Sequence, residues 1–247
     1  MVTLHPLFVV AGVGGGTGTG AAAARAFSRA GYSVALIARG KESLERLAAD
    51  LKSAGGNAAP FPIASYSVDD LKSAFTSIAQ KFPASQYALR AALYNAGSGV
   101  WKPFLSTTVD DLQASLQTNV VGAFAFAQEV IPVMKANENH PERGRGTLIF
   151  TGATASIRGN VTTSAFSISK HGVRALSQSL AKEFGKEDIH VAHAIIDGGI
   201  YTQNNPDRKL EVGLKPESIA QSYLWLANQE RSAWTWELDL RPSHEKW

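Results

Sequence analysis

A chain of 247 residues, 45% hydrophobic and 18% charged, carries ample apolar material for a core and is not a disordered segment. Its 24 basic residues oppose 21 acidic ones for a formal charge of +3, scattered rather than striped, so no nucleic-acid partner is expected. Cysteine is absent, which removes disulfides, thiolate nucleophiles and cysteine metal sites and suits a reducing, cytoplasmic setting.

The run Leu7 to Val13 is short, apolar and rich in β-branched residues, and it ends in a glycine cluster, as a buried strand entering a turn does. Ala21 to Ala30 follows as an alanine-rich helix closed by Gly31, and Tyr32 to Ala38 is a second buried strand. The alternation continues with a helix at Lys41 to Ser53, a strand at Asn57 to Ala64, a helix at Val68 to Phe82 and a strand at Arg90 to Asn95. A long helix is predicted from Val109 to Met134, then a strand at Thr147 to Gly152, a helix at Ser164 to Phe184 and a strand at His190 to Ile196. A helix at Pro216 to Asn228 and a strand at Trp234 to Leu240 complete the series. This rhythm predicts an α/β fold, a doubly wound parallel sheet of about seven strands, because parallel strands need crossovers and are buried on both faces. No composition break divides it, so residues 1–247 read as a single domain. His140 to Gly146 is a surface loop, and Gln203 to Leu214 is the candidate substrate lid. No apolar run reaches the ~18 residues of a membrane span, and no leader or cleavage pattern is visible.

Between Gly12 and Gly20 the chain leaves a strand and opens a helix, where backbone N–H groups and the helix dipole can hold a pyrophosphate. Two frames share the spacing: Gly14, Gly18 and Gly20, or Gly12, Gly16 and Gly18; register to the helix end favours the first. At the end of the second strand a carboxylate would select a free ribose 2′-OH. Ala38 stands there instead, followed by Arg39 and Lys41, whose charges suit a 2′-phosphate and so NADP(H) over NAD(H).

Asn95-Ala96-Gly97 after the fourth strand, Asn119 in Thr118-Asn119-Val120, Lys170 and Thr202 follow the glycine turn in order, and together they resemble the short-chain dehydrogenase/reductase family along nearly the whole chain. Gly14-x-x-x-Gly18-x-Gly20 is similar to its glycine pattern, and Asn95-Ala96-Gly97 to its Asn-Asn-Ala-Gly motif, with Tyr94 for the first Asn. Asn119 matches the helix asparagine of its proton relay, Lys170 the lysine of Tyr-x-x-x-Lys, and Thr202 the threonine that meets the nicotinamide amide. The resemblance implies a Rossmann fold, a nicotinamide cofactor, a small-molecule substrate and a homodimer or homotetramer. The last would form through the helices of Asn119 and Lys170; Phe124, Phe126, Val130 and Val133 on the Val120 to Val133 stretch allow it, although half of them must face the sheet. The aromatic stretch from Trp234 and Trp236 to Trp247 packs either on the core or on a neighbour.

Besides Tyr94, four more places depart from the pattern. Phe166 stands for the tyrosine and Ala153, thirteen residues upstream, for the serine; Asp197-Gly198-Gly199 replaces Pro-Gly, and Ser65 replaces an adenine-contacting aspartate. Asn119 and Lys170 therefore carry over as catalytic positions and Ala153 and Phe166 do not. Losing the acid–base group costs on the order of 10²–10⁴ in rate. Three readings follow: an oxidoreductase whose proton comes from Tyr201, Asp197 or Thr154, or whose substrate, an iminium ion, needs none; an inactive NADP(H) sensor; and a non-redox enzyme on the same scaffold. His171 adjoins Lys170 but points about 100° around the helix from it, away from any relay.

Overall fold

The computed structural model describes residues 4–202 and 213–244. Of the candidate lid only Gly213 and Leu214 are among them, and Trp247 also lies outside. Seven parallel strands form one sheet in the order β3-β2-β1-β4-β5-β6-β7. The strands are β1 His5–Ala11, β2 Ser33–Ala38, β3 Ala58–Pro62, β4 Tyr87–Tyr94, β5 Gly146–Thr151, β6 Ile189–Ile196 and β7 Glu237–Leu240. Helices α1 Thr19–Arg29, α2 Lys41–Ser53, α3 Val68–Lys81, α4 Val109–Leu116, α5 Gly122–Lys135, α6 Ser164–Phe184 and α7 Pro216–Ala227 cover both faces. None of these helices is long and apolar enough to cross a membrane.

Successive strand residues point to opposite faces, and β1 shows the result. Leu7, Val9 and Ala11 enter one apolar layer with Ile37, Phe126 and Leu148, whereas Phe8 and Val10 enter the other with Phe27, Leu36 and Tyr223. Strand order reverses between β1 and β4, so a crevice opens beyond their carboxyl ends, the place where open α/β sheets bind ligands.

The expected long helix from Val109 to Met134 is interrupted. A π-helical segment, Gln117–Val121, lies between α4 and α5. Tyr94 Oη donates to the Thr118 carbonyl at 2.6 Å, supplying a partner where the α-helical ladder is broken. The widened turn carries Asn119 inward. β7 also begins three residues later than predicted, because a 3-10 turn at Arg231–Ala233 precedes it and Trp234 stacks flat on His190, 5.0 Å between centroids.

Candidate functional site

The glycine turn has two kinds of glycine. At Gly12, φ is +95° and an added Cβ would stand 2.3 Å from the Ala96 backbone nitrogen, so the end of β1 is packed directly on the chain leaving β4. At Gly20 a Cβ would meet the Gly12 carbonyl oxygen at 2.2 Å, which presses α1 onto the same point. Around Gly14, Gly16 and Gly18, in contrast, a Cβ would find nothing within 4 Å. Gly18 caps α1 without any side-chain acceptor, and the buried Thr19 hydroxyl has no partner among the described residues. Open space, uncapped helical N–H groups and an orphan hydroxyl together fit an anion such as a pyrophosphate. Arg25 Nη1 donates to Gly16 O at 3.0 Å and Ser43 Oγ lies 3.3 Å from Gly14 O, bracing the turn from α1 and α2. Neither brace, nor the packing of Gly12, follows from glycine spacing, since each depends on a contact between distant segments.

At the end of β2, Arg39 and Lys41 are exposed, and Arg39 lies over the Tyr66 ring, 5.9 Å from its centroid. Ser65 is tied to the start of α3: its hydroxyl and N–H both donate to Asp70, at 2.7 and 2.8 Å.

Beyond β4, Asn95 ties three strands together. Its Nδ2 donates to Gly12 O at 2.7 Å, and its Oδ1 accepts from Thr151 Oγ1 at 2.9 Å. Thr151 is thereby left as acceptor toward the buried Tyr223 hydroxyl at 2.9 Å, and burial raises that phenol's pKa. Ala96 backs Gly12, and Gly97 passes between two site residues, since a Cβ there would lie 3.3 Å from Asn119 Oδ1 and 3.7 Å from Lys170 Nζ. Asn119 is buried; its Nδ2 donates to Ser98 O at 2.8 Å and to Ser169 Oγ at 3.0 Å, and its Oδ1 accepts the Ser98 N–H at 3.2 Å. Lys170 is 6% exposed and donates to the Thr151 carbonyl at 2.9 Å. Burial lowers its ammonium to about 8.

One helical turn before Lys170, Phe166 faces a cleft of about 740 Å³, also lined by Trp101, Ala153, Thr154, Arg158, Thr163 and the segment Asp197, Gly198, Gly199, Ile200. The hydroxyls here are already engaged as donors. Thr154 Oγ1 donates to Asp197 Oδ1 at 2.5 Å, Thr151 to Asn95, and Thr163 to Asn160 O at 2.8 Å. Asp197 is 1% exposed and ion-paired with Arg158 and Arg241 at 3.2 and 3.1 Å, so it serves as an acceptor rather than a proton source. Tyr201 and Thr202 line a neighbouring groove with Gly16, Thr17 and Arg25. His171 is exposed and its Nδ1 lies 2.9 Å from Ser167 O. The fold therefore brings the glycine turn, Asn95, Gly97, Asn119 and Lys170 to one edge. Trp101, Arg158 and the Thr151–Tyr223 pair join them without a sequence signal beyond an aromatic residue in a Gly-Ser-Gly loop.

Residues 9–212 match the short chain dehydrogenase family. The chain is 28% identical over 204 residues to the 3-oxoacyl-[acyl-carrier-protein] reductase of Bos taurus, covering 83% of this chain and 80% of that one. Among solved structures, a short-chain dehydrogenase from Rhodopseudomonas palustris is similar at 30% identity and a TM-score of 0.79, over 96% of this chain and 98% of that one. An alcohol dehydrogenase from Thermococcus sibiricus complexed with 5-hydroxy-NADP shares the fold at 21% identity and a TM-score of 0.83, over 98% of each chain. With its crevice at the β1–β4 reversal and a family match that runs from β1 past the end of β6, this chain belongs to the short chain dehydrogenase family.

Proposed function

We propose that this protein is an NADP(H)-dependent oxidoreductase that acts on a small organic substrate without the family's tyrosine and serine, positions taken here by Phe166 and Ala153. The observation that carries the reading is a cofactor cradle kept whole beside a cleft whose hydroxyls are committed as donors within the protein. Gly14, Gly18 and Gly20 with the start of α1 hold the pyrophosphate, Arg39 and Lys41 the 2′-phosphate, and Ser65 borders the adenine end. Asn95, Ala96 and Gly97 form the floor, Lys170 binds the ribose hydroxyls, and Gly198 and Thr202 border the nicotinamide. When bound, that cofactor supplies the hydride. The solved neighbour bearing 5-hydroxy-NADP supports the choice of dinucleotide.

Asn119 acts by holding Ser98, and through it the Gly97 segment, against Lys170. A ketone that receives hydride becomes an alkoxide and needs a proton; without an acid its barrier rises by about 3–5 kcal/mol. An imine that arrives protonated needs none, because hydride addition turns the iminium into a neutral amine. An imine or iminium substrate is therefore the first choice, and a carbonyl reduced with a substitute donor the second. The exposed Val121, Phe124, Val133 and Ile168 suit a homodimer or homotetramer, and the absence of cysteine suits the cytoplasm.

The loss of both hydroxyl positions favours one other reading, a catalytically inactive NADP(H) sensor. Calorimetric titration of NADPH and NADH into the parent and Arg39→Ala, followed by oxidation assays on imine and ketone panels, separates the two. An NADPH preference of about tenfold or more, abolished by the substitution, is expected. Binding with no turnover on either panel transfers the assignment to the sensor, and failure to bind either dinucleotide overturns both.

A further inference from the structure

Trp101 stands at the mouth of the cleft in a loop whose other apolar residues also face solvent. It is 66% exposed, and Phe104, Leu105 and Val161 around it are exposed too. Leaving such a side chain in water forgoes roughly 25 cal/mol for each Å² of apolar surface, yet the backbone that presents it is anchored. Its ring leans over Gly99, where an added Cβ would come within 2.0 Å of the indole as it stands. The adjacent Lys102 donates its N–H to Thr162 O at 3.0 Å across the cleft mouth, and its ammonium pairs with Asp111 at 2.7 Å at the start of α4. Indole and Phe166 ring meet at 5.3 Å between centroids and 46° between planes. That separation admits no third ring between them. The two form a corner: two aromatic faces meeting at the side of the cleft.

We propose that Trp101 selects the substrate, and that the corner it makes with Phe166 takes a planar aryl ring fused to the reacting C=N bond. The inference rests on the reductase reading above and names its substrate class. An aryl-fused cyclic iminium presents its flat ring and delocalised positive charge to the indole, an arrangement that aromatic stacking and cation–π attraction both favour, while the Phe166 ring, which already has Lys170 Nζ 5.9 Å from its centroid, supplies apolar contact at the side. In the reaction the C=N carbon gains hydride, forming one C–H bond. The C=N π pair becomes the nitrogen lone pair, the iminium is reduced to a neutral amine, and NADPH is oxidised to NADP⁺. No protein proton is consumed, which agrees with a phenylalanine in the wall.

The test compares 3,4-dihydroisoquinoline with 2-methyl-1-pyrroline as substrates, and the corresponding amines, 1,2,3,4-tetrahydroisoquinoline and 2-methylpyrrolidine, as calorimetric ligands. Parent protein, Trp101→Ala and Trp101→Phe are used. Trp101→Ala is expected to weaken binding of the aryl amine about tenfold, with partial rescue by Trp101→Phe, and to change binding of the aliphatic amine less than twofold. A loss shared equally by both amines, or by neither, overturns the role of Trp101. Preferential turnover of the pyrroline overturns the aryl class while leaving the reductase reading standing. If only the ketone 1-tetralone is reduced, the imine reading falls and the iminium proposal with it. A protein that binds no NADPH loses the reductase reading and the substrate class with it, and Trp101-dependent binding of the aryl amine would then mark the corner as an aryl-binding site only.

Discussion

Lys170 is the residue in which fold and chemistry pull hardest against each other. Burial strips its ammonium of water and lowers its pKa to about 8, from the 10.5 of an ordinary lysine. Between those two values the unfolded chain binds more protons than the folded one, so stability rises with pH across the window, and below about 8 the full penalty of a buried charge is present. Lys170→Met is therefore expected to melt at or above the parent temperature at pH 7 and to lose the parent's rise in stability between pH 8 and 10. Scanning calorimetry at several pH values reads both. The same variant is expected to bind NADPH at least tenfold more weakly; unchanged affinity would remove Lys170 from the cofactor site. The lysine was visible in the sequence as the last residue of Phe166-Ser167-Ile168-Ser169-Lys170, but its pKa was not, since burial arises from β5 and α6 closing over it.

Among the elements, the π-helical segment governs how the cleft is assembled. Asn119 reaches Ser98 and Ser169 from there, joining the loop after β4 to α6. Asn119→Ala leaves the Ser98 carbonyl and N–H without these partners and is expected to cost about 1–3 kcal/mol, read as a lower urea midpoint with an unchanged slope. Cofactor affinity is expected to fall as well, because Gly97 is positioned by the same bonds. The strands and helices themselves were legible: β1 and β2 carry the apolar runs Leu7 to Ala11 and Val34 to Ala38, and α2 and α6 begin and end at the predicted residues. The interruption at Gln117–Val121 was hidden because apolar residues continue through it on both sides, and the local pattern does not record the Tyr94 hydroxyl that sustains it. Likewise, glycine spacing left two frames open. The packing shows Gly12 and Gly20 pressed against backbone and Gly14, Gly16 and Gly18 in the open, a division set by the chain leaving β4.

For the whole molecule, acid is the condition that should undo it first at His193. This imidazole is fully buried on β6, both ring nitrogens lack partners among the described residues, and burial, followed by the nearby Lys170 charge, lowers its pKa to about 3. The unfolded chain, with an ordinary histidine near 6.5, takes up the proton first, so stability is expected to fall as pH drops from 6.5 toward 3. Urea midpoints of the parent and of His193→Leu at pH 7 and pH 4.5 check this. The parent should lose markedly more than the variant over that interval, and equal losses would mean that the imidazole is not held neutral. The strand order has another outcome, for the chain as it is synthesised. β1 lies between β2 and β4, and Val9 registers with Ala92. One edge of the central strand therefore stays bare until β4 has emerged, and a nascent chain stalled before that point offers an unpaired apolar edge to any other chain nearby. The ligand crevice at the reversal of strand order comes into being at the same step that removes this hazard.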